Sequence, residues 1–414
     1  MRIACGFVAL LGWACGFTEP VRTFDNPVSL KDQNGVALYR VVDVNGDALP
    51  DVIITNGSQI SILINETRQG ARLPSFTEIP APPEFLGQPI FQDLNNDGRI
   101  DVLFLPPKSK VDDPQTIAIA LNLTEVGSKS IVFSRPYTIT RIQNLGIVVQ
   151  NLQIDDNRGG GARFADINAD GRPDIVFSGA QEIQVSLNTT EQGSLVPSFA
   201  SPVPVATPRH SDMAISDLNN DGYFDVILLS DDSSKISILT NRTGSAGDPV
   251  FASILDLATD ADIGAIWVAD LDHDGLNDII YYVPTYSFEE KNLRILSNIT
   301  SSTPSQGQPI FRNPADVDGT LIQGGVFVDL LFGHFSGTDL TDIMIWYSGE
   351  IIVLTNIPTR TGVLKFEMNT DVGFDFNRSG HLPFPEIADI NRDGFPDVIF
   401  QDATGISILL GTTR

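Results

Sequence analysis

The sequence predicts an all-β protein, a seven-bladed β-propeller closed by its amino-terminal strand joining the last blade. Three observations predict it: an Asp-rich nonapeptide returns seven times, a short β-branched run follows every copy, and a Phe precedes every copy. Residues 20 to 414 are read as this single propeller domain, despite a length that admits two or three domains.

The first nonapeptide places Asp43, Asn45, Asp47 and Asp51 at positions 1, 3, 5 and 9, and the second places Asp93, Asn95, Asp97 and Asp101 there. Asp166, Asn168, Asp170 and Asp174 follow, then Asp217, Asn219, Asp221 and Asp225. Two further intact copies carry Asp270, Asp272, Asp274 and Asp278, and Asp389, Asn391, Asp393 and Asp397. An eroded copy holds His334, Ser336, Thr338 and Asp342.

Directly after each copy stands an apolar run such as Val52-Ile-Ile, Ile175-Val-Phe or Val398-Ile-Phe, the composition of a buried strand. An alternating run follows, as in Ile60 to Asn65 and Ile236 to Asn241, which is a further strand. Phe24, Phe76, Phe133, Phe199, Phe251, Phe311 and Phe366 mark an outer strand ahead of each nonapeptide. Each unit thus supplies four strands, one blade. Phe24 precedes the first nonapeptide, whereas no Phe strand follows the last. The segment near Phe24 is therefore expected to complete the blade built from residues 389 to 410, hiding two edges that an open ring would expose.

Oxygen donors at positions 1, 3, 5 and 9 without His or Cys suit a hard cation, and Gly at position 6 in five of six intact copies permits the reversal. Position 12 is apolar (Ile54, Phe104, Phe177) where an EF-hand needs Glu, and a strand follows rather than a helix. The reading is a calcium loop in a β-hairpin, about six Ca²⁺ in all, with the eroded loop empty. Asp, Asn and Gly favour turns on their own account, but carboxylates gathered in six copies repel one another unless a cation sits among them.

The formal charge of −26 opposes a phosphate backbone, so nucleic acid is not an expected partner. Cys5 and Cys15 are the only cysteines, so no disulfide framework holds the body together. Residues 1–14 read as a secretory signal peptide, and cleavage before Cys15 would leave a thiol for a lipid anchor, the one expected route to a membrane. The expected location is secreted, periplasmic or cell surface.

The Asp-x-Asn-x-Asp-Gly-x-x-Asp loop followed by an aliphatic strand resembles the FG-GAP or VCBS repeat, the unit of the integrin alpha-subunit propeller and of many secreted bacterial proteins. The resemblance implies structural calcium on one face of a disc and ligand binding on the other. The phenylalanyl-glycyl and glycyl-alanyl-prolyl pair that names the integrin version is absent as a set: the first part stands only at Phe332-Gly333 and the second nowhere.

Asn-x-Thr triplets begin at Asn65, Asn122, Asn188, Asn241 and Asn298, each at the end of the third strand, where Asn356 and Gly411 are the equivalents. A turn requirement accounts for this common placement better than glycosylation does. His210, His273, His334 and His381 show no metal-binding spacing, and no nucleophile elbow or phosphate loop occurs. Ligand contacts are sought where blades carry surplus residues: Arg135, Tyr137, Arg141 and the run from Arg158 to Gly161, then Lys108, Lys110, Tyr286 and Phe288. The expected function is a non-catalytic binding or adhesion module for protein or carbohydrate on the face opposite the calcium loops. The alternative is a polysaccharide lyase or hydrolase at the channel mouth.

Overall fold

The fold was obtained as a computed structural model. It describes the chain between residues 23 and 412, apart from 26, 33–37, 56–59, 82–88, 105–115, 141–161, 180, 245–246, 253, 259–261, 285–292, 301–306, 318–326, 348–349, 360–363, 370–384 and 402–404. The signal peptide, both cysteines, His381, Lys108, Lys110, Arg141, the 158–161 run, Tyr286 and Phe288 lie outside the described residues.

Seven four-stranded antiparallel sheets follow one another along the chain. Blade one comprises Leu38–Val42, Asp51–Thr55, Ile60–Asn65 and Phe76–Pro80, and blade four comprises His210–Ser216, Asp225–Ser230, Lys235–Leu239 and Leu255–Ala258. First strands of neighbouring blades meet one another, as His210–Ser216 meets Ala265–Ala269 and Glu386–Ala388 meets Leu38–Val42, so they line the axis. In every blade the nonapeptide joins the first strand to the second.

Blade seven is composite. Glu386–Ala388, Asp397–Gln401 and Gly405–Leu409 take Val28–Asp32 as their fourth strand, and Thr23–Phe24 pairs with Gly411–Thr412 just before it. The amino-terminal closure expected from the order of the Phe residues is therefore present, with Phe24 opposite Gly411. The same register recurs around the ring: Asn65 faces Phe76, Asn122 faces Phe133, Asn188 faces Phe199, Asn241 faces Phe251, Asn298 faces Phe311 and Asn356 faces Phe366.

Second strands read as continuous apolar runs because both their faces are covered by neighbouring blades. Among the described residues, buried apolar side chains fall into seven clusters, each spanning one blade boundary. Val52, Ile54 and Leu63 of blade one pack with Ile399, Ile406 and Ile408 of blade seven, which seals the ring. Burial of each such side chain contributes on the order of 1.5–3 kcal/mol.

The Asn at the end of the third strand adds a polar fastener. Asn65 Nδ2 donates to the carbonyl of Pro50 in its own blade and to that of Ile390 in the preceding one, at 3.0 and 2.9 Å. Asn122 reaches Val44, Asn188 reaches Leu94, Asn241 reaches Ile167, Asn298 reaches Leu218 and Asn356 reaches Leu271 in the same way. The Asn side-chain oxygen accepts the N–H of the Thr two residues on, as Asn188 does from Thr190 at 3.0 Å, and that Thr hydroxyl accepts the N–H of the returning chain. These five triplet asparagines are 0–2% exposed with both amide hydrogens engaged, so the triplets serve a turn and a blade boundary rather than a glycan.

Blade seven alone lacks the fastener, because Gly411 stands in that place. A Cβ there would lie 2.5 Å from the carbonyl oxygen of Pro396, so no side chain fits. Across this boundary the rings of Phe24 and Phe335 meet instead, with centroids 6.4 Å apart.

Two substitutions test this account. Asn188→Ala strands the carbonyls of Leu94 and Pro173 and should cost roughly 2–4 kcal/mol in urea unfolding. Gly411→Ala should cost about 1–3 kcal/mol by overpacking, although it enlarges an apolar side chain in a buried position.

Candidate metal centre

Each intact nonapeptide folds as a double reversal. Position 4 is left-handed at Gly46, Asn96, Ala169, Asn220, His273 and Arg392, and position 6 at Ala48, Gly98, Gly171, Gly222, Gly275 and Gly394. Position 2 is a buried apolar anchor, 0–1% exposed at Val44, Leu94, Ile167, Leu218, Leu271 and Ile390. These constraints fold positions 1 to 6 into a tight turn that gathers the side chains of positions 1, 3 and 5 close to one another.

Position 1 supplies backbone order: Asp43 Oδ2 accepts the N–H of Ala48, and Asp93, Asp166, Asp217, Asp270 and Asp389 accept that of the Gly at position 6. Position 5 accepts the N–H of position 7 through Asp47, Asp97, Asp170, Asp221, Asp274 and Asp393. At position 3, the amides of Asn45, Asn95, Asn168, Asn219 and Asn391 each donate to the position 5 carboxylate. The fifth loop has Asp272 instead, and there ligand oxygens of Asp270, Asp272 and Asp274 lie within 4.8 Å of one another.

Position 9 has a different task. Asp51 accepts the N–H of Val44 at 2.9 Å with one oxygen and that of Asn65 at 2.7 Å with the other. Asp101, Asp174, Asp225, Asp278 and Asp397 repeat the arrangement, and Asp342 keeps it in the eroded copy through Ser336 and Asn356. All seven are 0–1% exposed. Burial pushes Asp51, Asp101, Asp225, Asp278 and Asp397 up to about 7 and Asp174 to about 6, against the pull of those backbone donors, and neighbouring loop carboxylates add to the rise. Asp342 is raised as well, again by burial.

Three buried oxygens at positions 1 and 3 lack any hydrogen-bond partner: Asn95 Oδ1, Asp270 Oδ1 and Asp272 Oδ1. An acceptor left dry and unpaired costs free energy, which a cation removes. The donor set consists of carboxylate and amide oxygens, and it fits a hard divalent ion. The loops are not equivalent. Arg99 and Arg172, at position 7, place Nη2 2.5 Å from Asp97 and Asp170, so two loops carry a cation of their own.

Sequence reasoning missed these arginines and also a meeting of histidines. His273 at position 4 of the fifth loop and His334 at position 1 of the eroded loop touch edge to face, with ring centroids 5.1 Å apart. No signal along the chain announced it, since the two stand at different positions, 4 and 1, of consecutive repeats. His210 is buried, its Nδ1 donating to the carbonyl of Pro208 and its Nε2 2.9 Å from Ser178 Oγ. Of the surplus-loop residues, Arg135 and Tyr137 are described and both are exposed, Tyr137 at 46%.

The family model for the FG-GAP-like repeat matches residues 43–104, 166–228 and 217–281. Residues 43–104 and 166–281 are FG-GAP-like repeats, set in a seven-bladed propeller. Those matches take in five of the six intact loops with their buried position 9 carboxylates, and the fasteners Asn65, Asn188 and Asn241. The structure of an Agrocybe aegerita lectin, described as recognising non-reducing terminal N-acetylglucosamine, is similar to the FG-GAP-like propeller at 16% identity and a TM-score of 0.55, covering 82% of each chain. A TcdB2–TccC3 structure without its hypervariable C-terminal region aligns with 93% of this chain and 21% of its own, at 14% identity and a TM-score of 0.28. No curated protein matches the sequence.

Two measurements check the loop chemistry. Ala48 holds a φ of 65° where the other intact loops use Gly, so Ala48→Gly should raise stability by about 1 kcal/mol in thermal or urea unfolding. The buried position 9 acids bind protons more tightly folded than unfolded, where the value is near 3.8. Their contribution is therefore complete below about pH 4 and is lost as pH rises through 6 to 7. Without divalent cations the melting temperature should be lower at pH 8 than at pH 5; the opposite order would contradict the burial argument.

Proposed function

We propose that this FG-GAP-like propeller is a calcium-stabilised, non-catalytic binding module of the cell exterior, for a glycan or protein ligand. The observation that carries the calcium reading is the trio of buried, partnerless oxygens at Asn95, Asp270 and Asp272, set in loops whose donors are all hard. Asp270, Asp272 and Asp274 would hold one ion, and the corresponding Asp, Asn and Asp of the other intact loops would hold theirs. Position 9 would stand behind each site, orienting the loop through its two backbone hydrogen bonds.

The ion's contribution is charge neutralisation. It would relieve the repulsion among carboxylates that the fold forces together, and it would fix six hairpins on one face of the disc. A scaffold fixed in this way presents its opposite loops with little ordering cost on binding, which is how a propeller gains affinity without moving parts. A glycan is the first ligand class to test, because the similar lectin is described as binding a terminal sugar. A signal peptide over residues 1–14 fits the same reading, since a folded calcium protein of this kind needs an exterior rich in calcium.

Calorimetry with Ca²⁺ on chelator-treated protein should show several binding events, and EDTA should lower the melting temperature by well over ten degrees. A melting curve indifferent to EDTA would sink the calcium reading. Glycan-array and protein pull-down screens, run with and without chelator, test the binding role: a ligand retained with calcium and lost without it is the expected result.

A further inference from the structure

The eroded sixth loop has not simply lost its ligands. Its position 1 is His334 rather than Asp, and that imidazole meets His273 from the adjacent loop, so two of the four histidines in the chain come together across one blade boundary. Both are solvent-exposed. We propose that His273 and His334 form a nitrogen-ligated site for a borderline divalent transition metal, Zn²⁺, Cu²⁺ or Ni²⁺, bridging blades five and six.

Three features carry this. Two imidazoles on one tetrahedral ion, with metal–nitrogen bonds of ~2.0–2.1 Å, have ring centroids ~5 Å apart. The observed centroid separation of 5.1 Å matches that spacing. Next, His334 Nδ1 lies 3.1 Å from the carbonyl of Leu340, and a carbonyl only accepts, so the proton sits on Nδ1 and the lone pair on Nε2. A metal-ligating imidazole is oriented by this kind of hydrogen bond on its other nitrogen. Finally, His273 stands between Asp272 and Asp274 in the one loop whose position 3 is a carboxylate, and the negative potential of Asp270, Asp272 and Asp274 draws a cation to that boundary.

The chemistry separates this site from the other loops. Imidazole prefers zinc, copper and nickel, whereas the oxygen sites prefer calcium, so the two kinds of ion sort themselves. Two protein nitrogens leave coordination positions for water or for a donor on a binding partner. The inference does not depend on calcium occupying the acidic loops.

The test titrates the full chain with Zn²⁺ by calorimetry, and with Cu²⁺ followed by electron paramagnetic resonance, in excess Ca²⁺ so that hard sites are masked. Wild type is expected to take up one equivalent, with a two-nitrogen copper spectrum. His273→Asn, chosen because Asn tolerates the left-handed backbone, and His334→Ala should each weaken binding at least tenfold and reduce the spectrum to a single nitrogen. Unchanged melting temperatures in excess Ca²⁺ show that both variants fold. Affinity and spectrum unaltered in both variants, or no stoichiometric uptake by wild type, would overturn the proposal.

Discussion

The carboxylate at position 9 is buried in all seven blades, one oxygen on a backbone N–H at the head of its loop and the other on the N–H of residue 65, 122, 188, 241, 298, 356 or 411. That placement fixes the turn between the first two strands relative to the end of the third. The Asn so positioned then spans to the preceding blade. A single charged group therefore couples the internal geometry of a blade to its seat in the ring, and removing it would unfasten both.

Such a group is costly, since burial, with neighbouring loop carboxylates adding to it, moves most of these acids up to about 7. The backbone donors offset part of the cost, and a cation at positions 1, 3 and 5 would offset more. The loops differ in how they meet it. Asp97 and Asp170 have arginines in contact, the Asp270 group has three carboxylates and no arginine at position 7, and the loop of blade six has dispensed with acidic groups at positions 1 and 5. Blade six keeps Asp342 all the same, which separates the architectural role of position 9 from any role in holding an ion.

Much of the fold was legible because the period of the repeat exceeds any local ambiguity. Nonapeptide, apolar run and Phe recur in one order, and the Phe register found in blades one to six extends to Phe24 and Gly411. The conversion of an Asn into a blade-to-blade fastener was less legible, since the acceptors of Asn122 and Asn188 lie 78 and 94 residues away. The His273–His334 contact was invisible for the same reason: edge-to-face packing depends on how two consecutive loops stack, and spacing along the chain does not encode it. Position 9 was read as a ligand like the others, and its sequence looks the same; burial and the two backbone donors give it an architectural role as well.

The fasteners all point one way, each from a blade to the one before it. During synthesis from the amino end, Asn122, Asn188, Asn241, Asn298 and Asn356 emerge after their acceptors and can close as each sector is completed. Asn65 alone must wait, for Ile390 lies 325 residues downstream. The wheel can thus be assembled vectorially, sector upon sector, with its first-made rim held in suspense until the last has left the ribosome.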